Sequence, residues 1–109
     1  MKIEKPWGYE VIWAQTESYI GKILYIESGH RLSKQYHQTK EETVYVIAGV
    51  LCNYDKDDNL IKIKKGESFH VRPHQIHRFG AGEGPVILVE VSTPQLDDVV
   101  RIEDDYGRD

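Results

Sequence analysis

The chain alternates between short apolar-rich runs and polar punctuation. Nowhere does it repeat at the three-and-four spacing of an amphipathic helix. Tyr9–Ala14 comes first, then Tyr19–Glu27, closed by Ser28-Gly29, then Leu32–His37. Thr43–Asn53 is interrupted by Gly49, which marks a bend or bulge. Asp55–Asn59 reads as a polar hairpin loop. Leu60–Lys64 alternates, with Ile61 and Ile63 on one face and Leu60, Lys62 and Lys64 on the other. Lys65-Gly66 turns the chain into Ser68–Val71, and Pro73-His74-Gln75 turns it into Ile76–Phe79. After the glycine-rich turn Gly80–Pro85, Val86–Ser92 is apolar enough to be buried on both faces. The tail from Asp97 to Asp109 is acidic and keeps a small apolar run at Val99, Val100 and Ile102. About eight or nine short strands with turn signals between them predict an antiparallel all-β sandwich or barrel. A jelly roll closes such a sheet pair and leaves a cavity. Pro6-Trp7-Gly8 reads as a turn into the first strand, and Trp7 and Trp13 as core or interface packing.

The length of 109 residues suits a single domain over positions 1–109. A net charge of −4 and a pI of about 5.7 argue against a nucleic-acid partner. One cysteine, Cys52, allows no intrachain disulfide and fits a reducing compartment. No apolar run is long enough to span a bilayer and no signal-peptide core opens the chain, so the expectation is a cytoplasmic protein. Tyr9–Ala14 carries Val11 and Trp13 on one face. An apolar edge strand there would need covering, which predicts a homodimer formed by strand exchange or sheet extension.

Candidate chemistry concentrates between Gly29 and Gly49. Gln35 and His37 are two apart, so they share a face of an extended strand, and Glu42 follows a short polar turn. Each offers a lone pair, and one more ligand would complete a metal site. The spacing Gly29, five residues, Gln35-x-His37, four residues, Glu42, six residues, Gly49 resembles the first motif of the cupin superfamily, with Gln35 where histidine is more usual. Gly66 through Arg72-Pro73-His74 to His77 resembles the second motif more loosely. There His77 falls at the position of the last ligand. The implied metal set is therefore Gln35, His37, Glu42 and His77, within an antiparallel jelly-roll barrel. Such donors suit zinc, iron, manganese, cobalt or nickel, with coordination positions left open for chemistry. Taken singly, His30, His70 and His74 read as surface residues.

A closer resemblance covers residues 5 to 108. Lys5-Pro6-Trp7-Gly8-Tyr9-Glu10, Arg31-Leu32-Ser33, Gln35, His37, Glu42 and the ending Asp97 to Arg108 resemble the cupin domain of type II phosphomannose isomerases. That domain often follows a mannose-1-phosphate guanylyltransferase, for which this chain has no glycine-rich nucleotide signature. Gln35-x-His37-x-x-Lys40 is also similar to the zinc-binding motif of type I phosphomannose isomerases, which makes zinc the first choice of metal. The resemblance implies interconversion of mannose 6-phosphate and fructose 6-phosphate through a cis-enediol. Lys40, between the ligands, is read as functional, and Arg31, Arg72, Arg78 and Arg101 join it as possible phosphate clamps. Candidate bases are His70, His74 and Glu67, and His77 if it is not a ligand. The catalytic set carried forward is Lys40, His70 and Arg101. Two other readings are a non-catalytic sugar- or metal-binding cupin and another cupin enzyme, an epimerase or a dioxygenase. Gln35 speaks against the dioxygenase.

Overall fold

The computed structural model describes residues 1–108. It contains eleven strands: β1 (Lys2–Lys5), β2 (Gly8–Gln15), β3 (Ile20–Ile26), β4 (Lys34–Tyr36), β5 (Glu42–Ala48), β6 (Val50–Tyr54), β7 (Leu60–Lys64), β8 (Ser68–Val71), β9 (Arg78–Ala81), β10 (Val86–Ser92) and β11 (Val100–Glu103). One layer is a six-stranded antiparallel sheet in the order β1-β2-β3-β10-β5-β8. Facing it are β7-β6-β9 and the pair β11-β4, joined by bridges between Arg31 and Gly80 and between Gln35 and His77. The architecture is the expected all-β jelly roll. No helix of the described residues is long and apolar enough to cross a membrane.

Gly49 lies where the chain leaves one layer for the other, between β5 and β6. Its φ of 80° is left-handed, and a Cβ there would sit 2.3 Å from the Pro85 carbonyl oxygen, so only glycine fits this crossing.

The core fills one end of the sandwich. Leu24 and Ile26, Val44 and Val46, and Val86 and Leu88 meet Leu51, Ile63 and Phe79 from the other layer. Toward the other end the inner faces of the same strands turn polar: Lys22 on β3, Glu42 on β5, and Glu90 and Ser92 on β10. A cavity of about 500 Å³ occupies that end.

Several sequence expectations need correction. β1 was not foreseen, because Lys-Ile-Glu-Lys has too few apolar positions to read as a strand. It pairs with β2, so β2 is not an edge and the strand-exchange argument built on Val11 and Trp13 loses its premise. β10 is not buried on both faces: Val86, Leu88 and Glu90 point inward, whereas Val91 is 50% exposed. Ile61 is exposed and only Ile63 of that pair is buried. Trp7 packs in the core, but Trp13 is 53% exposed and lies over Gly21.

Candidate metal centre

Glu42 opens β5 with its side chain turned into the cavity, 3% exposed. His37 follows β4, and its Nε2 stands 2.9 Å from Glu42 Oε1. The backbones of Gln35 and His77 exchange hydrogen bonds of 3.0 and 2.9 Å, so the two residues are directly opposite across antiparallel chains. Opposite residues share a face, and His77 thereby arrives beside the trio, with its Nε2 3.4 Å from Glu42 Oε1. One ligand atom from each of His37, Glu42 and His77 lies within 4.8 Å of the others, and all three residues are buried.

The protons around this cluster favour a cation at its centre. His37 Nδ1 bonds to the Asp98 backbone carbonyl, and His77 Nδ1 bonds to the Gln75 carbonyl at 3.0 Å. A carbonyl only accepts, so each Nδ1 carries the hydrogen. In the neutral ring Nε2 is then a bare lone pair. His77 Nε2 is buried without a hydrogen-bond partner. Two imidazole lone pairs thus face one carboxylate, and a divalent cation satisfies all three. Gln35 lines the same cavity, and its Oε1 accepts from Ser33 Oγ at 2.7 Å, which orients the amide.

Behind the donors sits an ionisable pair. Lys40 is buried, with Nζ 3.4 Å from Glu90 Oε2 and 3.8 Å from Glu42 Oε2. Burial works to lower the Lys40 pKa, but Glu90 and Glu42 outweigh it and raise it. Burial, then repulsion from Glu42, drives the Glu90 carboxyl well above the usual range. Burial would raise Glu42 too, yet the hydrogen bond with Glu90, the adjoining His37 and His77 rings and the Lys40 charge hold it well below. Of two neighbouring carboxyls, Glu42 therefore keeps the negative charge, as a metal ligand requires.

The C-terminal segment covers the cavity. Asp98 accepts backbone N–H bonds from Gln38, Thr39 and Lys40 at 3.0, 2.7 and 2.8 Å, while its carbonyl orients His37. Those Lys40, Thr39 and Gln38 bonds bring the Asp98 pKa down to about 2. Arg101, on β11 opposite Gln35, lines the cavity with its Nε buried and, among the described residues, unpartnered.

Of the expected catalytic set, the structure brings Lys40 and Arg101 to the cavity and leaves His70 outside. On β8, Val71 faces inward opposite Glu42, so the preceding His70, opposite Thr43, projects from the outer face and pairs there with Glu41. His74 and Glu67 are exposed, and Glu67 caps the turn after β7 at Lys64 N. Arg78 is buried in a structural role, bonded to the Leu32 carbonyl, Glu103 and Asp105, and Arg31 pairs with Asp105. Arg72 is exposed. Sequence reasoning missed Glu10, Lys22, Glu90 and Asp98. For Lys22 and Glu90 the signal was a lone charge inside an apolar run.

Comparison with known proteins extends this picture. The model of the family described as mannose-6-phosphate isomerase C-terminal matches residues 1–104. The mannose-1-phosphate guanylyltransferase ManC of Salmonella typhimurium is 33% identical over 112 residues, covering 98% of this chain and 23% of that protein. The xanthan biosynthesis protein XanB of Xanthomonas campestris is 28% identical over 111 residues, covering 98% of this chain and 24% of that protein. This chain thus spans about a quarter of the curated relatives it matches. In fold it is similar to a cupin-like protein of Thermotoga maritima, with a TM-score of 0.78, 16% identity, and coverage of 88% of this chain and 76% of that one.

Proposed function

The chain belongs to the mannose-6-phosphate isomerase C-terminal family, and from that premise we propose that it is a metal-dependent aldose–ketose isomerase of sugar phosphates, with mannose 6-phosphate and fructose 6-phosphate as its pair. The observation that carries this reading is the convergence of His37, Glu42 and His77 at a cavity whose wall includes His37 and Glu42 and which is large enough for a sugar phosphate. Together with Gln35 they would hold a divalent ion, zinc first. Such an ion supplies Lewis-acid stabilisation of the negative charge that develops on neighbouring sugar oxygens. The chain's own residues do the rest. Arg101, whose Nε has no hydrogen-bond partner among the described residues, would clamp the phosphate. Lys40 Nζ and Glu90 Oε2, 3.4 Å apart, can hold and pass a proton beside the ligands. Ser33 fixes Gln35, and Asp98 fixes His37.

A coupled assay with mannose 6-phosphate tests this reading. Turnover should vanish with chelator and return with added metal. An absence of product with every divalent metal would discard the isomerase. Sugar binding without product would leave a non-catalytic binding domain.

We also propose a homodimer, now through the outer face of the six-stranded sheet instead of its edge. The outward positions of β2, β3, β10 and β5 are Tyr9, Val11, Trp13, Gly21, Ile23, Tyr25, Ile87, Val89, Val91, Thr43, Tyr45 and Ile47, and none is charged. Trp13, Tyr45, Ile47 and Val91 are 53%, 46%, 41% and 50% exposed. An uncharged face suits a second copy, which needs roughly 800 Å² per partner for stable association. Light scattering should give twice the 12.6 kDa chain mass, and Val91→Lys should return it to one. A wild-type monomer would remove the proposal.

A further inference from the structure

Ionisable side chains cross the inner face of the six-stranded sheet in a diagonal line. Glu10 on β2, Lys22 on β3, Glu90 on β10 and Glu42 on β5 are 8%, 7%, 4% and 3% exposed. Lys22 lies directly opposite Glu90, while Glu10 and Glu42 are each offset by two residues from their neighbour in the line. Lys40 adds a cation between Glu90 and Glu42. Burying charge costs stability that apolar residues in the same places would recover. The metal centre accounts for Glu42 and its neighbours, but not for Glu10 and Lys22, at the far end of the line.

Glu10 and Lys22 line the same cavity, with Trp7 and Lys5 beside them. Lys22 Nζ lies 3.3 Å from Glu10 Oε2, and Lys5 Nζ lies 3.8 Å from Glu10 Oε1. An ammonium has three N–H donors and a carboxylate about four acceptor sites, so one shared bond leaves most of that capacity for a ligand. The chemistry of the ligand follows from the alternation. Each lysine here is flanked by a carboxylate, which meets its charge and repels a phosphate. A hydroxyl group donates to the carboxylate and accepts from the ammonium at once. Arg101 has no carboxylate partner within ion-pair distance among the described residues, so the anionic end of a ligand belongs there.

We propose that Glu10 and Lys22, with Trp7 beside them, form a hydroxyl-binding subsite remote from the metal. It would hold the polyhydroxy carbon chain of the ligand and select for chain length. The identity of the ligand as a sugar phosphate rests on the isomerase-family reading above. Two interstrand steps separate the strands of Lys22 and Glu42, ~10 Å, and side chains reaching inward from both shorten the gap, so a six-carbon phosphate spans it and a three-carbon one does not.

The test uses alditol phosphates of three, four and six carbons, which carry no carbonyl and cannot be isomerised. Their binding to the zinc-loaded chain is followed by Trp7 fluorescence in a Trp13→Phe background and by calorimetry. Affinity should rise with length in the parent protein. Glu10→Gln and the doubly neutral E10Q/K22M should each lose about tenfold for the hexitol phosphate. Both should leave glycerol 3-phosphate binding and zinc content unchanged. The double variant strands no buried charge, since Lys5, the other partner of Glu10, is partly exposed, and thermal unfolding checks that it folds. An equal loss at every length, no length dependence in the parent, or no binding of any of the three overturns the subsite. If mannose 6-phosphate yields no product while the length series holds, the isomerase reading fails and the subsite stands. Product with a flat series is the reverse result.

Discussion

Ser33 is almost fully buried, at 1% exposure, and its hydroxyl does one visible thing: it donates to Gln35 Oε1. If Gln35 ligates the metal, Ser33→Ala should weaken zinc binding about 10–100-fold, as loss of an orienting partner does. Competition with a chelating dye reads this, and an unchanged affinity would mean that Gln35 is not a ligand. His77→Ala removes a donor outright and should abolish tight binding in the same titration. At this scale the meeting of His37, Glu42 and His77 was legible from motif spacing, and strand parity put Gln35 with His37 on the same cavity wall. His70 misled for the same reason: one position from Val71, it has the opposite parity. Lys22 and Glu90 stayed hidden because the apolar residues around them made each strand read as core.

Among the elements, the C-terminal segment has the most exposed fastening. Asp98 holds three backbone N–H groups, Asp105 meets Arg31 and Arg78, and Asp104 meets Arg108. All three carboxyls are held below their free value of 3.8: Asp98 by the Lys40, Thr39 and Gln38 amides, Asp104 by Arg108, and Asp105 by Arg31. A depressed carboxyl stabilises fully above its free pKa and loses that contribution as pH falls through its folded value. The segment should therefore stay docked at pH 5 and detach as pH falls below 4, toward about 2 for Asp98. Amide shifts of Gln38–Lys40 against pH would follow it, and release already at pH 5 would contradict the assignment. β11 was legible only as a small apolar run. Its pairing with β4, which carries Arg101 to Gln35, depends on contacts 66 positions apart in sequence (101 − 35) that no local pattern encodes.

For the whole molecule, turn residues and alternation sufficed to indicate an all-β sandwich. They did not say which faces are covered, since β10 is apolar on both sides and only packing decides which side meets the core. Leu88 is fully buried at the centre of that core. Leu88→Ala should cost about 2–5 kcal/mol, seen as a lower midpoint in urea at unchanged slope. A loss under 1 kcal/mol would mean that the core end is looser than its burial implies. Glu90 lies two residues along the same strand, so zinc affinity of the folded variant reports whether the two ends are mechanically independent.

The change of character along β10 also makes one strand a double gauge. Amides from Val86 to Leu88 belong to the packed end, and those from Glu90 to Ser92 to the polar end. In native-state hydrogen exchange the first group should open only with global unfolding, and the second through smaller local fluctuations. Metal should then slow the second group first, so occupancy could be read from a gradient of exchange rates within seven residues, without substrate or turnover.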